Sequence, residues 1–147
     1  MNLSSLLSFE PVEFDNSLPL PKVLLGVILG IGFGFLGTIP WILVGYLGFF
    51  VSILGFIIGI AAYKGFVLGA GKMHIAGIAT ILFVIMIAVP LSEIILLFIE
   101  GLKLELTFME ALTATPEVFV MYIGDFIPNI LLGYLFAFLG AWRVIKP

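Results

Sequence analysis

The sequence predicts an all-α membrane protein with four transmembrane helices and both termini in the cytoplasm. Three observations carry that prediction. Of 147 residues, 63% are hydrophobic and 10% charged, against about 45–50% apolar and about 25% charged in soluble domains. A water-soluble core cannot absorb such an excess, so the chain belongs in a bilayer. Four apolar runs stand out, at residues 23–39, 42–62, 75–99 and about 118–141. Each is near the roughly 20 residues that cross the hydrocarbon core as a helix. The basic residues then favour one threading. With both ends inside, Lys22, Lys64, Lys72, Arg143 and Lys146 are all cytoplasmic and only Lys103 lies outside, as the positive-inside rule requires. A closed barrel would need alternating polarity, and these runs have none.

Residues 1–22 read as a cytoplasmic tail ahead of a single transmembrane domain at 23–147. The stretch has no basic start, a short apolar run, and Glu10, Glu13 and Asp15, so it is not expected to be a signal peptide. Two roles are open to it: a loosely ordered tail near the membrane surface, or a docking segment for a partner.

The first two runs are nearly continuous, interrupted at "GTIPW", Gly37 to Trp41. One span of that combined length would be about twice too long. Pro40 disfavours helix at the residue before it and Trp41 suits the interface, so a tight helical hairpin is expected there. The second run ends in "AAYKGFVLGAGKMH", expected to be the cytoplasmic turn into the third. The third carries Pro90, expected to kink it. Between the third and fourth lies an outer segment with Glu100, Glu105, Glu110 and Glu117. Thr107 and Glu110 have capping-box spacing, so a short outer-surface helix is expected at about 108–114, with Phe108, Met109 and Leu112 resting on the membrane. Thr115 as cap, Pro116 in the first turn and Glu117 near the positive helix end then predict a fresh start for the fourth span.

Small residues recur at helical spacing. Gly26, Gly30, Gly34 and Gly37 form a stripe on the first helix, and Gly45, Gly48, Ser52, Gly55, Gly59 and Ala62 one on the second. Lipid supplies little hydrophobic drive between helices, so close backbone approach does much of the packing. The two stripes are expected to pack on each other as a glycine zipper, or one of them to face another subunit. Gly133, Ala137 and Gly140 make a weaker small face on the fourth helix.

Chemistry-bearing patterns are few. Gly71-Lys72 is not a phosphate loop: Phe66 stands where the first glycine should be, Met73 replaces the hydroxyl residue, and no strand precedes. With no cysteine, thiolate sites and disulfides are excluded. His74 is the sole histidine. It has no second ligand and no neighbouring acid, so a solvent or headgroup contact is expected, beside Lys64 and Lys72. No metalloprotease or hydrolase motif occurs. No catalytic residue, cofactor or metal is assigned, and the small net charge of -3 gives no basic face for nucleic acid. The polar residues inside the spans are the remaining candidates. Glu93 and Asp125 fall at about the same depth near the outer face, with Asn129 one turn from Asp125 on the fourth helix and Tyr122 at the preceding turn. Such groups are costly in lipid and suggest an ion or proton site; the alternative is that they reach interfacial water and anchor the helices.

Three segments together resemble a family: "WILVGYLGFFVSILGFIIGIAAYKGFVLGAGKMHIAGI", "LTFMEALTATPEVF" and "YIGDFIPNILLGYLFAFLGAWRVI". They look like the glycine-rich hairpin with its lysine loop, the outer helix and the last span of small four-span membrane proteins of Firmicutes-type bacteria. The likeness covers about residues 24–145. Many of those proteins read Gly-Gly-Lys where this chain has Ala70-Gly71-Lys72. The family has no assigned biochemical function, so the resemblance implies a bacterial plasma membrane and one compact unit but no active site.

Function is therefore expected to be non-enzymatic: a scaffold or accessory subunit whose partners are the lipid bilayer and a homo-oligomer or larger membrane complex. The alternative is a small cation or proton channel or transporter using Glu93, Asp125 and Asn129. A lipid-modifying enzyme with His74 at the headgroups is the third and weakest option.

Overall fold

A computed structural model describes residues 14–47 and 52–145. Among them the chain is all-helical with no strand. The order is α1 (Leu20–Leu36), α2 (Thr38–Tyr46), a 3-10 turn (Ser52–Leu54), α3 (Gly55–Ala70), α4 (Ile75–Lys103), α5 (Phe108–Met121) and α6 (Ile123–Ile145). Three helical segments are long and apolar enough to cross a membrane: Leu20–Tyr46, Ile75–Lys103 and Ile123–Trp142. The fourth, α3, has 16 residues and spans about 24 Å at 1.5 Å per residue, less than a hydrocarbon core of about 30 Å.

The helices alternate in direction. α1 and α2 run parallel to α4, since Gly30 meets Thr80, Gly34 meets Val84 and Gly45 meets Leu96. α3 runs back along α1, with Gly26 against Ala70 and Gly37 against Ile58. α6 follows the direction of α3, with Gly55 on Gly133 and Phe56 on Gly140. One end of the bundle therefore gathers the start of α1 and the Gly71–His74 loop. The other gathers Tyr46 and Lys103, whose Nζ donates to the Tyr46 carbonyl at 3.0 Å and lies 3.9 Å above its ring centre.

Four sequence expectations are corrected here. The chain does not reverse at Gly37–Trp41. Gly37 interrupts the helix for one residue in right-handed geometry (φ -66°, ψ -12°), and Pro40 falls in the first turn of α2, where no intrahelical N–H is needed. The reversal comes after Tyr46, so α1 and α2 form one segment. Secondly, α3 continues to Ala70 and takes Lys64 into the helix, leaving a loop of only Gly71–His74. Gly71 has φ 85°, a conformation that glycine adopts without strain. Thirdly, α5 runs unbroken through Pro116. Thr115 does not cap a new helix; its hydroxyl donates to the Ala111 carbonyl at 2.6 Å inside the same one. The break falls at Tyr122 instead. The Thr107–Glu110 box forms as its spacing predicts, with both reciprocal bonds present.

The fourth correction concerns the glycine stripes. α1 does present Gly26, Gly30, Gly34 and Gly37 inward, but α3 meets it with Ala62, Phe66, Gly65 and Gly69. Gly55 and Gly59 face α6, where a Cβ would strike the backbone at Gly133 and Ala137. With the reversal moved beyond Tyr46, these glycines lie on a different part of the bundle, and α3 sits between α1 and α6 with a small-residue face for each. Gly45 packs on Leu96 of α4. Gly48, the Ser52 side chain and the tail residues 1–13 lie outside the described residues, as do Lys146 and the Arg143 side chain.

Candidate functional site

Glu93 lies one turn beyond Pro90 on α4 and is buried, with 7% of its surface exposed. A carboxyl there needs hydrogen-bond partners, and two neighbouring helices supply them. Trp41 Nε1 donates to Glu93 Oε1 at 3.1 Å. Asn129 Nδ2 on α6 donates to the same oxygen. Three polar side chains thus join α2, α4 and α6 in one group. Trp41 is fully buried. Its ring lies on the backbone of Gly133, where a Cβ would come within 2.5 Å of Cη2. Glycine at 133 is therefore what lets the indole reach across α6 toward Glu93.

Of the three candidates, the structure brings Glu93 and Asn129 together and leaves Asp125 apart. Asp125 is exposed in the first turn of α6; its backbone N–H donates to the Tyr122 carbonyl at 2.9 Å, and its carboxylate takes no hydrogen bond among the described residues. Tyr122 is exposed as well. Trp41 is the member that the sequence reading placed elsewhere, at the interface. Its indole N–H was the available signal, because a buried tryptophan seeks an acceptor. Asn129 Oδ1 is buried and has no hydrogen-bond partner among the described residues. Those residues also contain no cluster of three or more His, Cys, Asp or Glu side chains.

The opposite end of the bundle carries a second polar arrangement. Residues 14–17 lie against the Gly71–His74 loop. Phe14 pairs with Met73 in an isolated parallel bridge, and Asp15 N–H donates to the Met73 carbonyl at 2.9 Å. Asn16 Oδ1 accepts from the Ile75 N–H at 3.0 Å, and His74 Nδ1 accepts from the Ala76 N–H at 2.9 Å. Two of the four orphan donors at the α4 N-terminus are thereby satisfied. His74 is a helix cap here, its Nδ1 taking the Ala76 N–H. Lys72 Nζ lies 3.9 Å from Asp15 Oδ2, an exposed pair of little energetic weight. The Asp15 carboxyl is held below its usual range, first by the Ser17 hydroxyl and then by the Ser17 N–H, with Lys72 and His74 adding smaller attractions.

No protein-family model, no curated protein and no solved structure matches this chain.

Proposed function

We propose that this protein is a four-span bacterial plasma-membrane protein, both termini cytoplasmic, that acts as a non-enzymatic scaffold or accessory subunit. The observation that carries the reading is the use made of its polar interior. Trp41 and Asn129 each donate to Glu93, joining three helices, and the helices meet at backbone contact through glycine and alanine. A protein built this way is a closed, stiff unit. Its exposed side chains along α1, α4 and α6 are largely apolar, suited to lipid or to a partner's spans. In this reading α3 crosses the membrane despite its length, with local thinning of the bilayer at modest cost, and Lys64 reaches toward the cytoplasmic headgroups. The likeness to small four-span Firmicutes-type proteins belongs to the same proposal.

Affinity capture from native membranes tests it: recovery of a defined membrane partner is expected, and recovery of the protein alone counts against a scaffold.

A second reading, transport of a proton or monovalent cation, is favoured by one observation: the unpartnered Asn129 oxygen beside a buried carboxyl. Reconstituted liposomes separate the two readings. A flux above that of empty liposomes, abolished in Glu93→Gln, would replace the scaffold proposal.

A further inference from the structure

The Glu93–Asn129 contact leaves one acceptor over. Asn129 Nδ2 and Trp41 Nε1 both donate to Glu93 Oε1, while Asn129 Oδ1, the other arm of the amide, is buried and receives no hydrogen bond among the described residues. Buried amide oxygens are almost always bonded. An ionised carboxylate accepts only, whereas a carboxylic acid carries an O–H. A carboxylic acid and a primary amide set edge to edge can exchange two bonds: amide N–H to acid oxygen, and acid O–H to amide oxygen. Glu93 and Asn129 already make the first.

We propose that Glu93 carries a proton in the folded protein and donates it from Oε2 to Asn129 Oδ1, so that the two side chains form a closed acid–amide pair between α4 and α6. The ligand of this site is then a proton. A metal ion would need several more oxygen donors than one carboxyl and one amide provide.

The surroundings agree. From α2, Glu93 meets the uncharged Trp41 indole. From α6 it meets Asn129, while Asp125 a turn earlier is exposed and the Tyr134 hydroxyl is turned to the Met86 carbonyl. On α4 itself, the Ser92 hydroxyl donates to the Ala88 carbonyl, and Lys103 is engaged at Tyr46. Glu100 on α4 and Glu110 and Glu117 on α5 are exposed. Residues 48–62, which include the 3-10 turn and the start of α3, contain no titratable side chain. No cation bonds Glu93 among the described residues, so a charge there would be unpaired. The inference goes beyond the scaffold proposal and holds whether or not protons move through the protein.

Infrared difference spectroscopy of the full chain in liposomes at neutral pH tests it. The expected result is a protonated-carboxyl C=O band that shifts in D2O, is absent in Glu93→Gln and moves to higher frequency in Asn129→Leu, where the acid loses its acceptor. Glutamine offers an N–H to Asn129 Oδ1 and an oxygen to both donors, so Glu93→Gln is also expected to unfold at the wild-type temperature. If Glu93→Gln removes only carboxylate absorption, Glu93 is ionised and the inference fails. If Glu93→Gln does not fold, the Asn129→Leu spectrum decides alone: an unmoved band overturns the pair.

Discussion

The Tyr134 hydroxyl on α6 donates to the Met86 carbonyl on α4 at 2.9 Å, and Met86 is the residue whose helical partner Pro90 removes. A proline at position 90 has no N–H for the carbonyl four residues earlier. Inside a membrane helix such a group must be satisfied by a neighbour, and Tyr134 supplies the donor. Tyr134→Phe is expected to destabilise the protein by about 0.5–1.5 kcal/mol. In a Pro90→Ala background the restored backbone N–H bonds the Met86 carbonyl itself, and the same change is expected to cost clearly less. Thermal unfolding of the four variants in detergent measures the coupling; equal losses in both backgrounds would separate Tyr134 from Pro90.

The end of α4 holds a different strain. Leu106 N–H bonds the Gly101 carbonyl at 3.3 Å and Glu105 N–H bonds Leu102 at 3.1 Å, the paired closure in which the residue past the cap is left-handed. That residue is Glu105, with φ 69°, where glycine would avoid a penalty of roughly 1–2 kcal/mol. Glu105→Gly is expected to raise stability by about 0.5–1 kcal/mol, after subtracting glycine's larger entropy loss. An unfolding midpoint below wild type would contradict this.

Helix contact through glycine makes a sharper division. A Cβ on Gly55 would stand 2.5 Å from the Gly133 carbonyl oxygen, and one on Gly59 would strike the Ala137 carbonyl. Backbone cannot yield as a side-chain tip can. Gly55→Ala and Gly59→Ala are each expected to cost about 1–3 kcal/mol. Gly32 has nothing within 4 Å of its Cβ position, so Gly32→Ala is expected to be neutral or to stabilise by up to about 1 kcal/mol. Similar losses at all three positions would remove the packing explanation.

How much of this was legible follows from where the signals reside. Long apolar runs announce helices, and Glu93 and Asn129 are conspicuous because polar groups in such runs are few. The position of the reversal was not legible. Pro40 marks a helix start as readily as a helix end, and glycine recurs at helical spacing on both sides of the real turn. That single displacement carried others with it: Trp41 left the interface for the core, and Gly55 and Gly59 faced α6. Lys64 read as loop because it is charged, yet a lysine near a helix end can sit within the helix and extend its head outward. Asp125 shares a helical face with Asn129 by spacing, but which residues on a face are covered depends on the neighbouring helix.

Acid should loosen the Asp15–Ser17 strap. The Asp15 carboxyl is held below its usual range by Ser17. A carboxyl lowered on folding stabilises above its unfolded value of about 3.9 and loses that contribution as pH falls through the folded value. Amide exchange at Asp15 and Ile75, corrected for intrinsic rates, is expected to rise as pH falls through the folded Asp15 value. Asp15→Asn is expected to remove the pH dependence; an unchanged acid response would place its origin elsewhere.

The central claim, a bundle of four membrane-crossing segments with both chain ends cytoplasmic, is tested most directly by labelling single cysteines, which the cysteine-free sequence makes unambiguous. Leu47→Cys, Lys103→Cys, Lys22→Cys and Lys72→Cys are probed in intact cells with a membrane-impermeant thiol reagent. Residues 47 and 103 are predicted to react from outside, and 22 and 72 only after the inner face is opened. Reaction of 47 and 72 from the same side would contradict the account, because the short helix α3 between them would then enter the membrane without crossing it.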